Sequence, residues 1–167
     1  MDYKQFLVNL DFIKLKVFFN EKKNKILKTE ILENDSKNLK ETKNYVSELI
    51  KEYFYGYIDK LDLLILNFDN LTDFQKDLLI KLTEIPRGKV TTYKNLGEKI
   101  GKDRAYRAVG TSLAKNPFPI IIPCHRVIRS DLNVGNYSNG YDLKVKILQF
   151  EGVVFEKKYF VSKGSVL

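Results

Sequence analysis

Three of the four prolines in this 167-residue chain fall within seven positions, at Pro117, Pro119 and Pro123 of NPFPIIIPCHRVI. Proline lacks an amide donor, fixes its own φ and pushes the residue before it out of the helical region. No helix or interior strand can run through such a segment, so the chain must cross it extended or turning. Residues 120–122 are too short a run for a buried helix and read as an extended core strand. Pro123 then stiffens the backbone directly before Cys124 and His125, the only cysteine and the only histidine.

The patterning on the far side of residue 70 differs from the patterning before it. Residues 6–10, 13–19 and 26–32 are apolar, strand-like stretches joined by charged turns such as NEKKNK, which suggests a small antiparallel sheet. A helix follows, with Ser36 as N-cap, Leu39, Tyr45 or Val46, Leu49, Ile50 and Phe54 near helical spacing, and Gly56 as its stop. DLLILNF reads as a short buried strand or an extended linker, and the domain boundary falls near Asn70. This gives domains of residues 1–70 and 71–167.

Past the boundary, Thr72 and Gln75 stand at capping-box spacing ahead of Phe74, Leu78, Leu79 and Leu82, with Pro86 and Gly88 ending the helix. TTYKNLGEKIGKDRAYRAVGTSLAKNP reads as helix, tight turn, helix. Leu96 and Ile100 share one face, Gly101 makes the break, Asp103 caps the second helix, and Ala105, Ala108, Val109 and Leu113 form its inner face. Leu143, Ile147 and Leu148 or Phe150 mark a last helix stopped at Gly152, and residues 153–161 read as an extended tail. The fold class is α/β in the α+β sense: a small N-terminal α/β domain with an antiparallel sheet, then a mostly helical domain containing a helix-turn-helix.

Charge separates the halves further. Residues 1–70 carry 12 lysines against 12 carboxylates, so the net charge of +8 lies wholly in residues 71–167. It is densest from Arg87 to Arg129, with 10 basic and 2 acidic side chains, and Lys102, Arg104 and Arg107 make the outer side of the helix pair basic. Such a surface suits a phosphate backbone or an acidic membrane surface as well as mere solubility. A single cysteine allows no internal disulfide, and one cysteine with one histidine falls short of a structural zinc site. No metal and no cofactor is expected. The N-terminus has no leader-like pattern and no apolar run approaches the roughly 20 residues that span a bilayer, so an intracellular, cytoplasmic protein without a membrane partner is expected.

A cysteine behind an apolar run is most often a small buried hydrophobe. Reactivity needs the thiolate, and hence a base or a positive potential, which His125, Arg126 and the basic region can supply. Adjacency is not contact, since neighbouring side chains diverge on strands and helices alike. Cys124 and His125 can cooperate only across a turn or a bridging water. An imidazole base also needs an orienting group, for which Glu151 is the candidate, although spacing does not select it over Asp131 or Asp142.

IPRGKVTTYKNLGEKIG, RAVGTSLAKNPFPIIIPCHRVI and VGNYSNGYDLKVKILQFEG together resemble the O6-alkylguanine-DNA alkyltransferases, the methylated-DNA–protein-cysteine methyltransferases, over residues 72–152. The resemblance implies a single-turnover repair protein acting, as a monomer, on double-stranded DNA carrying O6-alkylguanine, with O4-alkylthymine left open. Cys124 would accept the alkyl group, His125 would activate it through a water, Glu151 would orient His125, and Tyr93 would donate a proton to the leaving guanine. The damaged nucleotide would be flipped out, with Arg107 filling the stack from a helix in the minor groove, and Thr92, Tyr93, Lys102, Arg104 and Arg126 on the DNA. In the pocket, Asn116 would brace the active-site turn and Val127 would offer a carbonyl to the guanine amine. Tyr137 would pack on the base, the Ser138 backbone would donate toward O6, Leu113 would form a wall, and Asn139 would line the mouth. Asn139 and SDLN depart from the family pattern, which leaves tolerance for larger alkyl groups open. Two rivals remain. Non-transferring alkyltransferase-like proteins usually carry tryptophan in place of the cysteine, and a Cys-His hydrolase usually draws its base from elsewhere in the sequence.

Overall fold

Alternation in the first 32 residues becomes three antiparallel strands, β1 (Lys4–Leu10), β2 (Ile13–Asn20) and β3 (Lys25–Leu32), paired in the order β1-β2-β3. The computed structural model describes residues 3–32, 41–103 and 105–167. On β2, Ile13, Leu15 and Val17 are buried while Lys14 and Lys16 between them stay half-exposed, so the period of two gives the sheet one dry face. Helix α1 (Tyr45–Tyr55) lies against β1 and buries Val46, Ile50, Tyr53 and Phe54.

The start of α1 differs from the sequence expectation. Its N-cap is Asn44, whose side chain accepts from Ser47 N at 2.8 Å while Asn44 N donates to Ser47 Oγ at 2.9 Å. This reciprocal box satisfies two orphan amides at once and fixes the helix start. Ser36 and Leu39 lie outside the described residues. Gly56, at φ 78°, ends the helix in the left-handed cap expected of it. DLLILNF forms neither strand nor linker but a 3-10 turn at Leu63–Ile65 that leaves Leu64 exposed, with a single bridge pairing Leu66 to Ile26.

By contacts the chain divides into one unit of Met1–Leu71 with Pro117–Ile121, and a second of Thr72–Asn116 with Ile122–Leu167. A boundary near Asn70 does not anticipate the return of residues 117–121 to the first unit. Prolines cannot donate but keep their carbonyls, and here Thr29 supplies both donors: its N–H to Pro117 O at 2.8 Å and its hydroxyl to Pro119 O at 3.0 Å. Phe118 is buried edge-on against Phe68. Residues 120–122 turn instead of extending, and Ile120 takes φ 73°, a conformation costly for a β-branched side chain.

The second unit opens with α2 (Asp73–Leu82), capped by Thr72 and Gln75 as the spacing predicts, with Leu78, Leu79 and Leu82 buried. Strand β4 (Thr91–Thr92) runs parallel to β5 (Val127–Ile128). Between them in sequence stand α3 (Tyr93–Lys99) and α4 (Tyr106–Ala114), joined by a turn through Gly101 at φ 67°. Asp103 does not cap α4: the N-cap is Ala105, with no side-chain hydrogen bond. Ala108 is exposed, and Val109 and Leu113 make the buried face. After α5 (Tyr141–Phe150) the expected extended tail is a hairpin, β6 (Phe155–Lys157) and β7 (Phe160–Val161). Val90, Ile128, Val134, Val145, Leu148, Val153 and Val161 form the core that joins β5, α5 and the hairpin. Among the described residues no helix is long and apolar enough to cross a membrane.

The α2 cap sets a stability test. Thr72→Ala should cost about 1 kcal/mol, read as a lower urea midpoint with an unchanged slope.

Candidate active site

Pro123 hands the chain to a 3-10 turn, Cys124–Arg126, in which Cys124 N donates to Ile122 O at 2.8 Å and Arg126 N to Pro123 O at 2.9 Å. The Asn116 side chain donates to the same Ile122 carbonyl at 2.9 Å, pinning the residue from which the turn departs. The turn splays its side chains. Cys124 lines a cavity, while His125 and Arg126 are 1% and 3% exposed and form part of the core beside it.

Glu151, the residue capping the C-terminus of α5, receives both buried side chains. Arg126 Nε donates to Oε2 at 2.9 Å and its second nitrogen to Oε1 at 2.8 Å, a two-pronged pair. The remaining Arg126 nitrogen donates to Ile85 O at 2.7 Å, and His125 Nε2 lies 3.0 Å from Glu151 Oε1. Gly88, at φ 76°, passes so close that a Cβ there would sit 3.2 Å from Glu151 O. Glycine alone meets both demands.

The electrostatics follow from this packing. Burial by itself would raise the Glu151 carboxyl, but the charge His125 can carry and the Arg126 pair outweigh it and hold the group well below the carboxylate range. Burial lowers His125 more than Glu151 raises it, so the imidazole is neutral at pH 7. An ionised carboxylate can only accept, so Nε2 carries the proton and Nδ1 keeps the lone pair. Nδ1 is buried and has no hydrogen-bond partner among the described residues. Burial also pushes the Cys124 thiol up, against a hydrogen bond from Asn116 and the charge of Lys144, so the resting group is a thiol beside a base. Tyr93 is raised by burial and by Cys124, and Tyr137 well raised by burial; both remain phenols at pH 7.

The cavity, open to solvent, has a volume of about 1090 Å³ and is lined by residues of α3, α4, the Cys124 turn and the 129–138 segment. Of the residues expected at the site, it brings together Cys124, Tyr93, Arg107, Leu113, Tyr137 and Ser138. His125, Glu151 and Asn116 stand behind the wall. Arg126 is corrected: its guanidinium is spent on Glu151 and Ile85 O inside the protein and cannot meet DNA. Thr92 is buried with its hydroxyl capping α3 on Asn95 N at 3.0 Å, so it offers no side chain to a phosphate. Val127 O accepts from Lys144 Nζ at 2.7 Å. Asn139 is exposed and outside the cavity lining, and Lys102 sits on the exposed turn between the helices. Arg104 lies outside the described residues.

Sequence reasoning missed Lys144, Tyr106 and Arg129. Lys144 had a visible signal: it stands three and four residues before Ile147 and Leu148, on the face that α5 buries. Tyr106, half-exposed at the start of α4, and Arg129 line the cavity with nothing in their spacing to announce it.

Comparison with known proteins places these residues in context. Residues 73–153 match the family described as 6-O-methylguanine DNA methyltransferase, DNA binding domain. The chain is 44% identical over 114 residues to the methylated-DNA–protein-cysteine methyltransferase of Methanosarcina barkeri, covering 66% of this chain and 71% of that protein. It is 36% identical over 137 residues to the probable enzyme of that name from Acanthamoeba polyphaga mimivirus, covering 82% and 89%. Its fold matches Mycobacterium tuberculosis OGT in complex with DNA at a TM-score of 0.71 and 27% identity, over 87% of this chain and 91% of that one.

Two outcomes follow from the buried network. Glu151→Ala removes the carboxylate that the buried Arg126 guanidinium pairs with and should destabilise by about 3–5 kcal/mol. The folded protein refuses a proton on His125 that the unfolded chain accepts near pH 6.5, so stability present above that pH is lost as pH falls. Urea midpoints between pH 7.5 and 5.5 should show the decline, and His125→Gln should flatten it.

Proposed function

This chain belongs to the methylated-DNA–protein-cysteine methyltransferase family, and on that premise we propose that Cys124 is the alkyl acceptor in its reaction, the repair of O6-alkylguanine in DNA. The observation that carries the assignment is the splay of the 3-10 turn, with Cys124 on the cavity wall and His125 behind it, Nδ1 unclaimed. A bridging water passes the thiol proton to Nδ1. The thiolate attacks the alkyl carbon in line with the C–O6 bond, an S–C bond forms, and the electron pair of the broken bond passes into the guanine ring. Tyr93 meets that charge by donating its phenolic proton at N3, giving neutral guanine, and the proton His125 took from the thiol returns through water to the Tyr93 phenolate. Guanine leaves protonated and Cys124 remains a thioether. Nothing in this scheme regenerates the thiol, and it needs no cofactor.

The substrate base is stacked in duplex DNA and has to be extruded, at a cost of a few kcal/mol. In this reading Arg107 occupies the vacated stack, supported by its exposure on α4 and its place in the cavity lining. Lys94 and Arg129 on the cavity rim and Lys102 on the turn supply phosphate contacts. Tyr137 packs on the flipped base, Leu113 forms the wall beside it, and the Ser138 backbone donates toward O6. In this reading residues 71–167 are the DNA-binding and acceptor domain, residues 1–70 are an accessory domain, and the protein acts on chromosomal DNA in the cytoplasm as a monomer.

Incubation with duplex DNA carrying O6-methylguanine should leave one methyl group per protein on the Cys124 peptide by mass spectrometry, and Cys124→Ser should abolish it while still binding DNA. Binding without methylation would contradict the assignment. Arg107→Ala should slow repair of the duplex more than reaction with free O6-benzylguanine, because only the duplex requires extrusion; equal losses would remove the stacking role.

A further inference from the structure

Lys144 is the one lysine buried among the described residues, at 1% exposure, on the inner face of α5 with Val145, Ile147 and Leu148. Its ammonium donates to Val127 O at 2.7 Å and Val134 O at 2.5 Å and forms no ion pair with a described carboxylate. A buried cation without a counterion is costly, and a core that needed only volume there would hold leucine or methionine. Burial pushes its pKa down to about 8, with Cys124 working against that shift.

The groups around the reacting sulfur leave Lys144 a distinct place. From the 3-10 turn, His125 is neutral and the charge of Arg126 is cancelled by Glu151 at the end of α5. From α3 and the 129–138 loop come the phenols of Tyr93 and Tyr137, both uncharged, with Arg129 beside Tyr93 at the rim. Lys144 is therefore, among the described residues, the one buried cation without an ion pair here: α5 packs on the 3-10 turn, Val127, whose carbonyl Lys144 holds at 2.7 Å, directly follows that turn, and the charge acts on Cys124 and on His125.

We propose that Lys144 is an electrostatic positioning residue: its buried ammonium, fixed by the Val127 and Val134 carbonyls, is the countercharge of the Cys124 thiolate formed when the proton leaves. The same field discourages a standing charge on His125, which Glu151 offsets at the moment the proton arrives. The inference rests on the reading of Cys124 as nucleophile, but concerns its ionisation alone and needs no DNA to examine.

The test is the pH profile of Cys124 alkylation by iodoacetamide, unambiguous in a chain with one cysteine, for the natural protein, Lys144→Gln and Lys144→Met. Glutamine keeps an amide donor for a carbonyl and drops the charge; methionine drops both. Both variants should react roughly tenfold more slowly at pH 7, where Lys144 is charged and Cys124 is largely a thiol, with the difference closing as pH rises past 8 and Lys144 loses its proton. A wild-type rate at pH 7 in Lys144→Gln would show a strut without an electrostatic role and overturn the proposal. If neither variant folds, the natural protein decides. Coupling is reciprocal, so the Lys144 13Cε titration should move to lower pH once Cys124 is S-methylated; an unmoved midpoint overturns the proposal. Failure of methyl transfer from DNA would leave these profiles intact, so the two readings fail separately.

Discussion

One carboxylate organises the second unit. Glu151 accepts two hydrogen bonds from Arg126 and stands 3.0 Å from His125 Nε2, and Arg126 in turn reaches Ile85 O just past α2. The end of α5, the turn holding Cys124 and the segment after α2 are thereby tied through a single buried cluster. The close pass of Gly88 over the Glu151 carbonyl belongs to the same arrangement, since any side chain at 88 would push the two segments apart. A buried ion pair is weak evidence for stability in itself, because desolvation consumes much of the attraction. Its consequence here is orientation: with Arg126 holding the carboxylate ionised, His125 has one available tautomer.

That orientation explains how a raised thiol can still be a nucleophile. Burial keeps Cys124 protonated at rest, and in the proposed reaction His125 Nδ1, buried and without a hydrogen-bond partner among the described residues, is the base that takes its proton. Tyr93 lines the same cavity and is kept a phenol by burial, as the proposed proton donor has to be. In the proposed reaction the acid comes from α3, the base and the nucleophile from the 3-10 turn, and the carboxylate that orients the base from the end of α5, which the core around Ile128 and Leu148 packs against β5.

The strands of the first unit, the Thr72 cap, the Gly101 break and the last helix were legible because local rules of period and capping decide them. Capping of α4 by Asp103 and the strand at residues 120–122 were not, since hydrogen bonding set by the tertiary structure decides those places. The prolines announced an irregular segment but not that Thr29, about 90 positions away, would supply its donors. At the site, the residues that the cavity brings together were singled out by type and resemblance, whereas the inward turn of Arg126 was not, because a basic residue in a basic stretch reads as surface. Lys144 was hidden for the same reason, although its helical register pointed inward.

The central claim is that Glu151 sets His125 as a neutral imidazole with its proton on Nε2 and its lone pair on Nδ1. Because the chain has one histidine, its 15N NMR spectrum reports this state directly in the natural protein. At pH 7 the account predicts a protonated Nε2 and an unprotonated Nδ1, shifting toward free tautomer exchange in Glu151→Gln. An imidazolium at pH 7, or a proton on Nδ1 with Nε2 bare, would contradict it.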